Sequence, residues 1–201
     1  MIGYDYISGN FLNSLELAVL GLHYIPEGEL LSIPGFNTAI YNLVYAAAVT
    51  GVEEYLKCRL YKEVFSSETC GKNYVNTYNK KHKNNRLDVK FPLREADQNA
   101  IAETLMRQIY HRIDLMFKYF DAISKTDFKN NPCDFVQELK EIIEKRHLII
   151  HNGGRDNSGN KIDVTLSEIN KAIKIAREFI YQVEARFIQK GSERIIIDPT
   201  E

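Results

Sequence analysis

The sequence has few cysteines, few prolines and no excess of charge of either sign. Its 201 residues include three cysteines, five prolines and no tryptophan. The cysteines are odd in number, widely spaced and without a CxxC pair, so they indicate neither a disulfide framework nor a cysteine metal site; they are Cys58, Cys70 and Cys133. This cysteine usage is typical of a reducing compartment, so we expect a cytoplasmic protein.

Charge and hydropathy exclude two further classes of protein. The formal net charge of −1 at pH 7 excludes a globally basic nucleic-acid-binding protein, although it leaves room for a local basic surface. No uninterrupted apolar run approaches the roughly 18 residues of a membrane span. Met1 to Asn10 lacks the basic and apolar regions of a signal peptide. We therefore expect no membrane contact, and a hydrophobic content of 44% is ordinary for one soluble globular domain.

Apolar residues recur at helical spacing along most of the chain, which predicts an all-α bundle of four or five helices. We expect residues 1–37 to form a short N-terminal helical extension, 38–190 the helical domain and 191–201 a tail. The polar stretch from Cys70 to Phe91 is predicted to be irregular. The predicted helices run from Phe11 to Tyr24, from about Thr38 to Phe65, from about Leu93 to Ser124, from Asn131 and Pro132 into the 146–154 segment, and from a Thr165–Glu168 capping box to about Gln189.

One segment carries residue types suited to catalysis, Arg146-His147-Leu148-Ile149-Ile150-His151-Asn152-Gly153-Gly154. Arginine is a permanent cation whose planar donor fork suits phosphate. Histidine exchanges protons readily near neutral pH. Together they offer what phosphodiester cleavage without a metal needs. The glycines favour a helix end just after His151, because Gly153 or Gly154 adopts the left-handed conformation at low cost.

Helical geometry limits how these side chains meet. His147 and His151 are four residues apart and therefore share one helical face. Arg146 and His151 are five residues apart, which on an ideal helix separates them by roughly 140° of azimuth. They converge if the helix ends near Ile150, if the arginine side chain curls around, or if a second subunit completes the site across a two-fold axis.

The same residues have two other interpretations. Cations in the last helical turn interact favourably with the helix dipole, and Asn-Gly-Gly is a helix stop, so the segment also fits a plain capping role. His147 and His151 supply two imidazoles on one face, as some metal sites do. However, the zincin pattern requires glutamate where Leu148 stands, and the sequence offers no obvious third ligand nearby. We therefore expect no metal and no cofactor.

The segment resembles a known motif. Arg146-x4-His151 is similar to the R-x4–6-H motif of the HEPN superfamily, and His147 stands where that family favours Asn, Asp or His. Asn152 belongs to a stop that is followed by a polar loop and an amphipathic helix, as in that family. Glu53-x-Tyr55-Leu56-Lys57 is similar to the E-x-aromatic-aliphatic-K element of several HEPN groups, among them the RiboL-PSP type.

The resemblance implies a metal-independent endoribonuclease that works as a homodimer, with the two motifs facing each other across the interface. RNA supplies its own nucleophile in the 2′-OH, so the expected products are a 2′,3′-cyclic phosphate and a 5′-hydroxyl. His151 would transfer protons and Arg146 would stabilise charge on the phosphate. His147 would orient the phosphate or share the proton transfer. Glu53 would position Arg146 or raise a histidine pKa, unless it is an ordinary surface carboxylate.

The resemblance leaves the biological role open between toxin, phage-defence effector and RNA-processing enzyme. A cognate antitoxin or another neighbouring gene product is compatible with each. In HEPN toxins silenced by a nucleotidyltransferase, a tyrosine follows the histidine by two residues; Gly153 stands there in this chain, so AMP transfer at that site is not expected. The alternative function is a non-catalytic HEPN module that binds RNA, nucleotide or a protein partner.

A basic run follows in the polar stretch. It contains Lys80, Lys81, Lys83 and Arg86. Such a run is either a solvated loop or a guide for the RNA backbone, and the sequence alone supports both interpretations.

Overall fold

The structure, a computed structural model, describes the backbone of residues 36–130 and 132–196. The all-α prediction is confirmed, since the described residues contain no β-strand beyond an isolated bridge between Arg155 and Lys161. They form six helices where four or five were expected, namely α1 (Phe36–Val64), α2 (Glu68–Lys81), α3 (Glu95–Met106), α4 (Ile113–Ser124), α5 (Val136–His151) and α6 (Leu166–Ile196). The predicted helix from Phe11 to Tyr24 and the predicted cap Asn131 lie outside the described residues.

The irregular conformation predicted for Cys70 to Phe91 is wrong, because α2 occupies half of it. Ser67 caps this helix, its hydroxyl oxygen accepting a hydrogen bond from the Cys70 amide at 3.2 Å. The buried side chains recur every three or four residues and include Cys70, Tyr74, Val75 and Tyr78. A helix with asparagine and threonine on its other positions is thus held by packing of one face rather than by propensity.

The single helix predicted from Leu93 to Ser124 is also wrong, since the chain turns between α3 and α4. The amides of Gln108 and Arg112 each donate three residues back, to Leu105 and Ile109, so the segment passes through tight turns. The buried Tyr110 donates its hydroxyl to the Leu105 carbonyl oxygen at 2.5 Å. The Leu105 carbonyl oxygen at the end of α3 thus accepts from both the Gln108 amide and the Tyr110 hydroxyl.

The last two helices differ from the prediction at one end each. Helix α5 begins at Val136, not at Pro132, because Phe135 has a φ of 62° and a left-handed residue ends a right-handed helix. Helix α6 continues to Ile196, beyond the predicted end near Gln189. Its predicted capping box is present: the Thr165 amide donates to Glu168 Oε2 at 2.9 Å, and the Glu168 amide donates to Thr165 Oγ1 at 3.2 Å.

The chain folds as two compact units, and α1 and α6 each contribute residues to both. In the described chain, the first unit comprises residues 36–54 and Asp134–Tyr181. Its apolar core is formed by one face each of α1, α5 and α6, with buried side chains that include Val49, Val52, Leu139, Ile169, Ala172 and Ile173. This unit contains the 146–154 segment.

The second unit comprises Tyr55–Cys133, apart from residue 131, together with residues 182–196. Its core is rich in aromatic rings: Phe117 stacks on Phe128 with ring centroids 4.5 Å apart, and Phe120 meets Phe187 edge to face at 5.1 Å. These contacts bury large apolar areas without tryptophan. None of the helices in the described ranges is both long and apolar enough to cross a membrane.

Candidate active site

The end of α5 is set by two glycines. Gly153 and Gly154 have φ values of 62° and 72°, the left-handed conformation predicted from the sequence. The Gly154 amide donates to the Ile149 carbonyl oxygen at 3.0 Å, which is the bond of a Schellman cap. Asn152 is the exposed C-cap residue, and its amide donates to the Leu148 carbonyl oxygen at 3.0 Å. Helix α5 therefore ends directly after His151.

His147 and His151 lie on consecutive turns and are both exposed. Their ring centroids are 4.5 Å apart, with an angle of 43° between the ring planes. This is the shared helical face that the four-residue spacing predicts. Two imidazoles in contact with each other and with water are accessible to a substrate, and one can accept a proton while the other donates one.

Arg146 lies against α1 and is mostly covered. Its Nη2 atom is 3.7 Å from Oε2 of Glu53, and the two side chains are 19% and 20% exposed. That separation is too long for a hydrogen bond, so the attraction is electrostatic. The Nε atom of Arg146 is buried and has no hydrogen-bond partner among the described residues. That atom is shielded from solvent, so an anion would have to bind at the Nη atoms, and Nη2 makes no hydrogen bond to Glu53.

The predicted site residues form two groups. Arg146 and Glu53 lie together, as do the rings of His147 and His151. Since α5 stays helical through His151, its backbone retains the roughly 140° of azimuth between Arg146 and His151. The helix ends one residue beyond Ile150, but because His151 is itself helical this end does not by itself bring the two side chains together.

Sequence reasoning missed the contacts of Lys145, the residue before the motif. Its Nζ atom is 2.6 Å from Oε1 of Glu168 and 5.7 Å from the ring centroid of Tyr45. Burial alone would raise the pKa of Glu168, but hydrogen bonds from Lys145 and Thr165 lower it below its usual value. These contacts hold the motif helix against α1 and α6. The local sequence does not predict these contacts, because Tyr45 and Glu168 are distant from Lys145 in the chain.

The basic run belongs to the second unit. Lys80 and Lys81 close α2, while Lys83 and Arg86 follow in the next turns, and all four are exposed. His82 does not share this exposure, since its ring stacks on Tyr78 with centroids 4.3 Å apart. The run is therefore a surface of lysine and arginine side chains, with its histidine used in packing.

No family model, no curated protein and no solved structure matches the chain. Within the described ranges, no three His, Cys, Asp or Glu side chains are grouped so that they could hold a metal ion. An assignment of function accordingly depends on the chemistry at the end of α5.

Proposed function

We propose that the protein is a metal-independent endoribonuclease of the HEPN type, acting as a homodimer through Arg146-x4-His151. One observation carries the proposal: two exposed imidazoles 4.5 Å apart lie at a glycine-terminated helix end that also bears Arg146, whose guanidinium is backed by Glu53. Proton-transfer groups beside a fixed cation are what cleavage at an RNA phosphate needs. The resemblance of the segment to the HEPN motif gives the same reaction.

The reaction follows from RNA chemistry. The ribose 2′-oxygen attacks the adjacent phosphorus, the bond from phosphorus to the 5′-oxygen breaks, and a 2′,3′-cyclic phosphate and a 5′-hydroxyl result. A neutral histidine takes the proton of the 2′-OH and a protonated histidine gives one to the leaving 5′-oxygen. We assign His151 to proton transfer, His147 to the second proton or to phosphate orientation, and Arg146 to the negative charge on the phosphate oxygens. Asn152 would support this site from the cap.

A homodimer would bring Arg146 and His151 together although the two side chains point in different directions from one helix. The first unit exposes large apolar side chains, Leu43, Phe135, Ile150 and Tyr181. Ile150 is 48% exposed and directly precedes His151. In a two-fold dimer the same patch occurs on both subunits, so a contact through Ile150 would bring both copies of the motif together. Arginine from one chain would then face histidine from the other.

The second candidate is a non-catalytic HEPN module that binds RNA, nucleotide or a protein partner. The observation that favours it is the burial of Arg146, because an arginine covered to this degree beside a carboxylate is also what a structural ion pair between two helices looks like. Such a module would bind without turnover.

The deciding experiment incubates purified protein with single-stranded RNA in EDTA. We expect cleavage that survives chelation and is lost in Arg146→Ala and in His151→Ala. Matched controls are Arg107→Ala and His111→Ala, which remove an exposed arginine and an exposed histidine of the second unit and should cleave like the wild type. Mapped ends should carry the cyclic phosphate and the 5′-hydroxyl.

Three results would contradict the nuclease. One is equal cleavage by wild type and both motif variants, which would indicate a contaminant. Another is RNA binding without turnover across varied RNAs, which would favour the binding module. The third is a wild-type protein that stays monomeric in light scattering at the assay concentration. If the nuclease holds, Ile150→Asp should shift the dimer to monomer and reduce cleavage with it.

A role as toxin or defence effector in the cytoplasm extends this proposal. Unrestrained RNA cleavage would stop growth, so induced wild type should arrest cells that tolerate Arg146→Ala. A cognate antitoxin or neighbouring gene product would then be the factor that relieves the arrest when co-expressed. Growth unaffected by an active wild-type enzyme would instead favour RNA processing.

A further inference from the structure

Helices α2 and α4 of the second unit pack against each other in opposite directions. The Tyr74 ring on α2 lies 5.5 Å from the Tyr119 ring on α4, between centroids. Four residues earlier on α2, the Cys70 thiol donates to the carbonyl oxygen of Ile123, four residues later on α4, at 3.6 Å. The contacting residue numbers fall along α4 as they rise along α2, so the two helices are antiparallel. The last turn of α2 therefore lies beside the first turn of α4.

This register brings cations from distant parts of the sequence together. Lys81 is seven residues beyond Tyr74, and Arg112 is seven residues before Tyr119. Seven residues are about two helical turns, so both positions return to the facing sides of their helices. Lys118 is exposed on α4, where it precedes Tyr119 and lies about 100° around the helix from it. In agreement with this placement, burial and the charges of Arg112 and Lys118 lower the pKa of Lys81.

The arrangement is electrostatically unfavourable in the protein alone. Arg112 is the N-cap of α4 and makes no side-chain cap hydrogen bond there, although a cation at this position opposes the helix dipole. Asp114 in the first turn of α4 offsets part of this charge. Two other exposed cations of the unit, Lys72 and Arg107, form ion pairs with Glu68 and Glu103, each four residues earlier. Asp114 stands at the same spacing before Lys118, so it offsets part of that charge as well.

We propose that Lys81, Arg112 and Lys118 form a phosphate-binding surface in the second unit that holds the backbone of single-stranded RNA, in addition to the Arg146 motif of the first unit. A phosphate would relieve the repulsion among three like charges and would suit the positive end of α4. Lys80 and Lys83 of the basic run extend the same surface. Phosphate is the chemistry that the cluster selects; RNA as its source rests on the proposed nuclease function.

Phosphate contacts have a distinct signature in salt. For single strands, the logarithm of the binding constant falls with the logarithm of salt concentration with a slope of about −0.7 per phosphate contact. Three lost contacts should therefore reduce the magnitude of the slope by about 2. The loss should be similar for RNAs of different sequence, because phosphate contacts carry no base information.

The experiment measures binding of fluorescent single-stranded RNA by anisotropy over a range of salt, in full-length protein carrying Arg146→Ala and His151→Ala so that RNA stays intact. The test variant adds Lys81→Gln, Arg112→Gln and Lys118→Gln. A matched control adds Lys90→Gln, Lys125→Gln and Lys129→Gln, which remove the same charge from exposed lysines of the same unit. A third variant keeps the charge with Lys81→Arg, Arg112→Lys and Lys118→Arg.

We expect about tenfold weaker binding at low salt and a shallower salt slope for the test variant alone. The control and the charge-preserving variant should bind like the parent. Equal losses in the test and control variants would overturn the proposal, because net charge would then explain the effect. Failure of the parent protein to bind RNA would also overturn the proposal. So would inorganic phosphate that, at matched ionic strength, displaces the fluorescent RNA as well as unlabelled RNA does, because the site would then be one for the free ion. Cleavage is measured separately in protein that retains Arg146 and His151. A failure of the proposed nuclease function is thereby distinguished from a failure of the proposed phosphate-binding surface.

Discussion

The guanidinium of Arg146 on α5 and the carboxylate of Glu53 on α1 face each other, with Nη2 and Oε2 3.7 Å apart. Both side chains are about one-fifth exposed, so the pair is shielded from water without being fully desolvated. A pair of this kind contributes little to stability, but it can fix the direction of a long side chain. In the proposed enzyme, Glu53 is thus a positioning residue for Arg146.

The first prediction concerns Glu53→Gln, which removes the charge and keeps the size. We expect the cleavage rate at saturating RNA to fall about 10- to 100-fold, because a misplaced arginine no longer meets the phosphate charge. The free energy of unfolding in urea should change by less than about 1 kcal/mol.

The control for this prediction is Glu54→Gln, since Glu54 is the exposed neighbour on the same helix. It should leave the rate unchanged, and Glu53→Asp should recover part of it. If Glu53→Gln cleaves at the wild-type rate while Arg146→Ala is inactive, Glu53 is an ordinary surface carboxylate, as the sequence also allowed.

A second prediction concerns a buried ion network in the second unit. Arg59 is 8% exposed. Its Nη2 lies 2.8 Å from Glu63 Oε1 and its Nη1 lies 3.2 Å from Glu184 Oε2. Its guanidinium carbon is 3.9 Å from the centroid of the Phe187 ring. Arg59→Met should lower the free energy of unfolding by about 3–5 kcal/mol, because two carboxylates then lose their countercharge. Urea unfolding followed by circular dichroism measures this.

The exposed pair of Arg107 and Glu103 is the matched comparison. Arg107→Met should cost less than about 1 kcal/mol, because solvent screens that pair. A similar loss in the two variants would mean that burial of Arg59 does not govern its contribution.

Local signals explain what the sequence predicted well. Continuous apolar periodicity placed α1 within two residues of its observed ends. The end of α5 was predictable because glycine conformation is a local property, and both Gly153 and Gly154 adopt positive φ. Fold class follows from the same short-range patterns, since every described element is helical.

The features that the sequence did not predict depend on tertiary packing. The signal for α2 was present in the four-residue spacing of Cys70, Tyr74 and Tyr78, but residues of weak helix propensity between them obscured it. The turn between α3 and α4 contains neither proline nor glycine, and it depends on the buried Tyr110. Nothing local relates Arg112 to Lys81, because only the register of two packed helices makes them neighbours.

A third prediction concerns stability at high pH. Burial raises the pKa of Tyr119 to about 12, from an ordinary value near 10, and burial also raises the pKa of Tyr55 and of Tyr74. Between pH 10 and 12 the folded protein therefore holds protons that the unfolded chain has released. The free energy of unfolding is at its full value below pH 10 and should fall as the pH rises through this range.

Urea unfolding at a series of pH values tests the assignment to Tyr119. Tyr119→Phe keeps the ring contact with Tyr74 and should make the decline shallower. Tyr61→Phe, at a tyrosine 39% exposed, should leave the slope as in the wild type. A decline of the same steepness in all three proteins would assign the pH dependence to other groups.

The fourth prediction uses the symmetry of the proposed dimer. If each site takes arginine from one subunit and histidine from the other, a heterodimer of Arg146→Ala and His151→Ala chains has one complete site and one that lacks both residues. Random refolding of an equal mixture makes half of the dimers mixed, so cleavage should return to about one quarter of the wild-type rate, although each variant alone is inactive. Differently tagged chains show that mixed dimers form. If they form and cleavage does not return, Arg146 and His151 act within a single chain, and a curled arginine must overcome the azimuth that the regular end of α5 imposes.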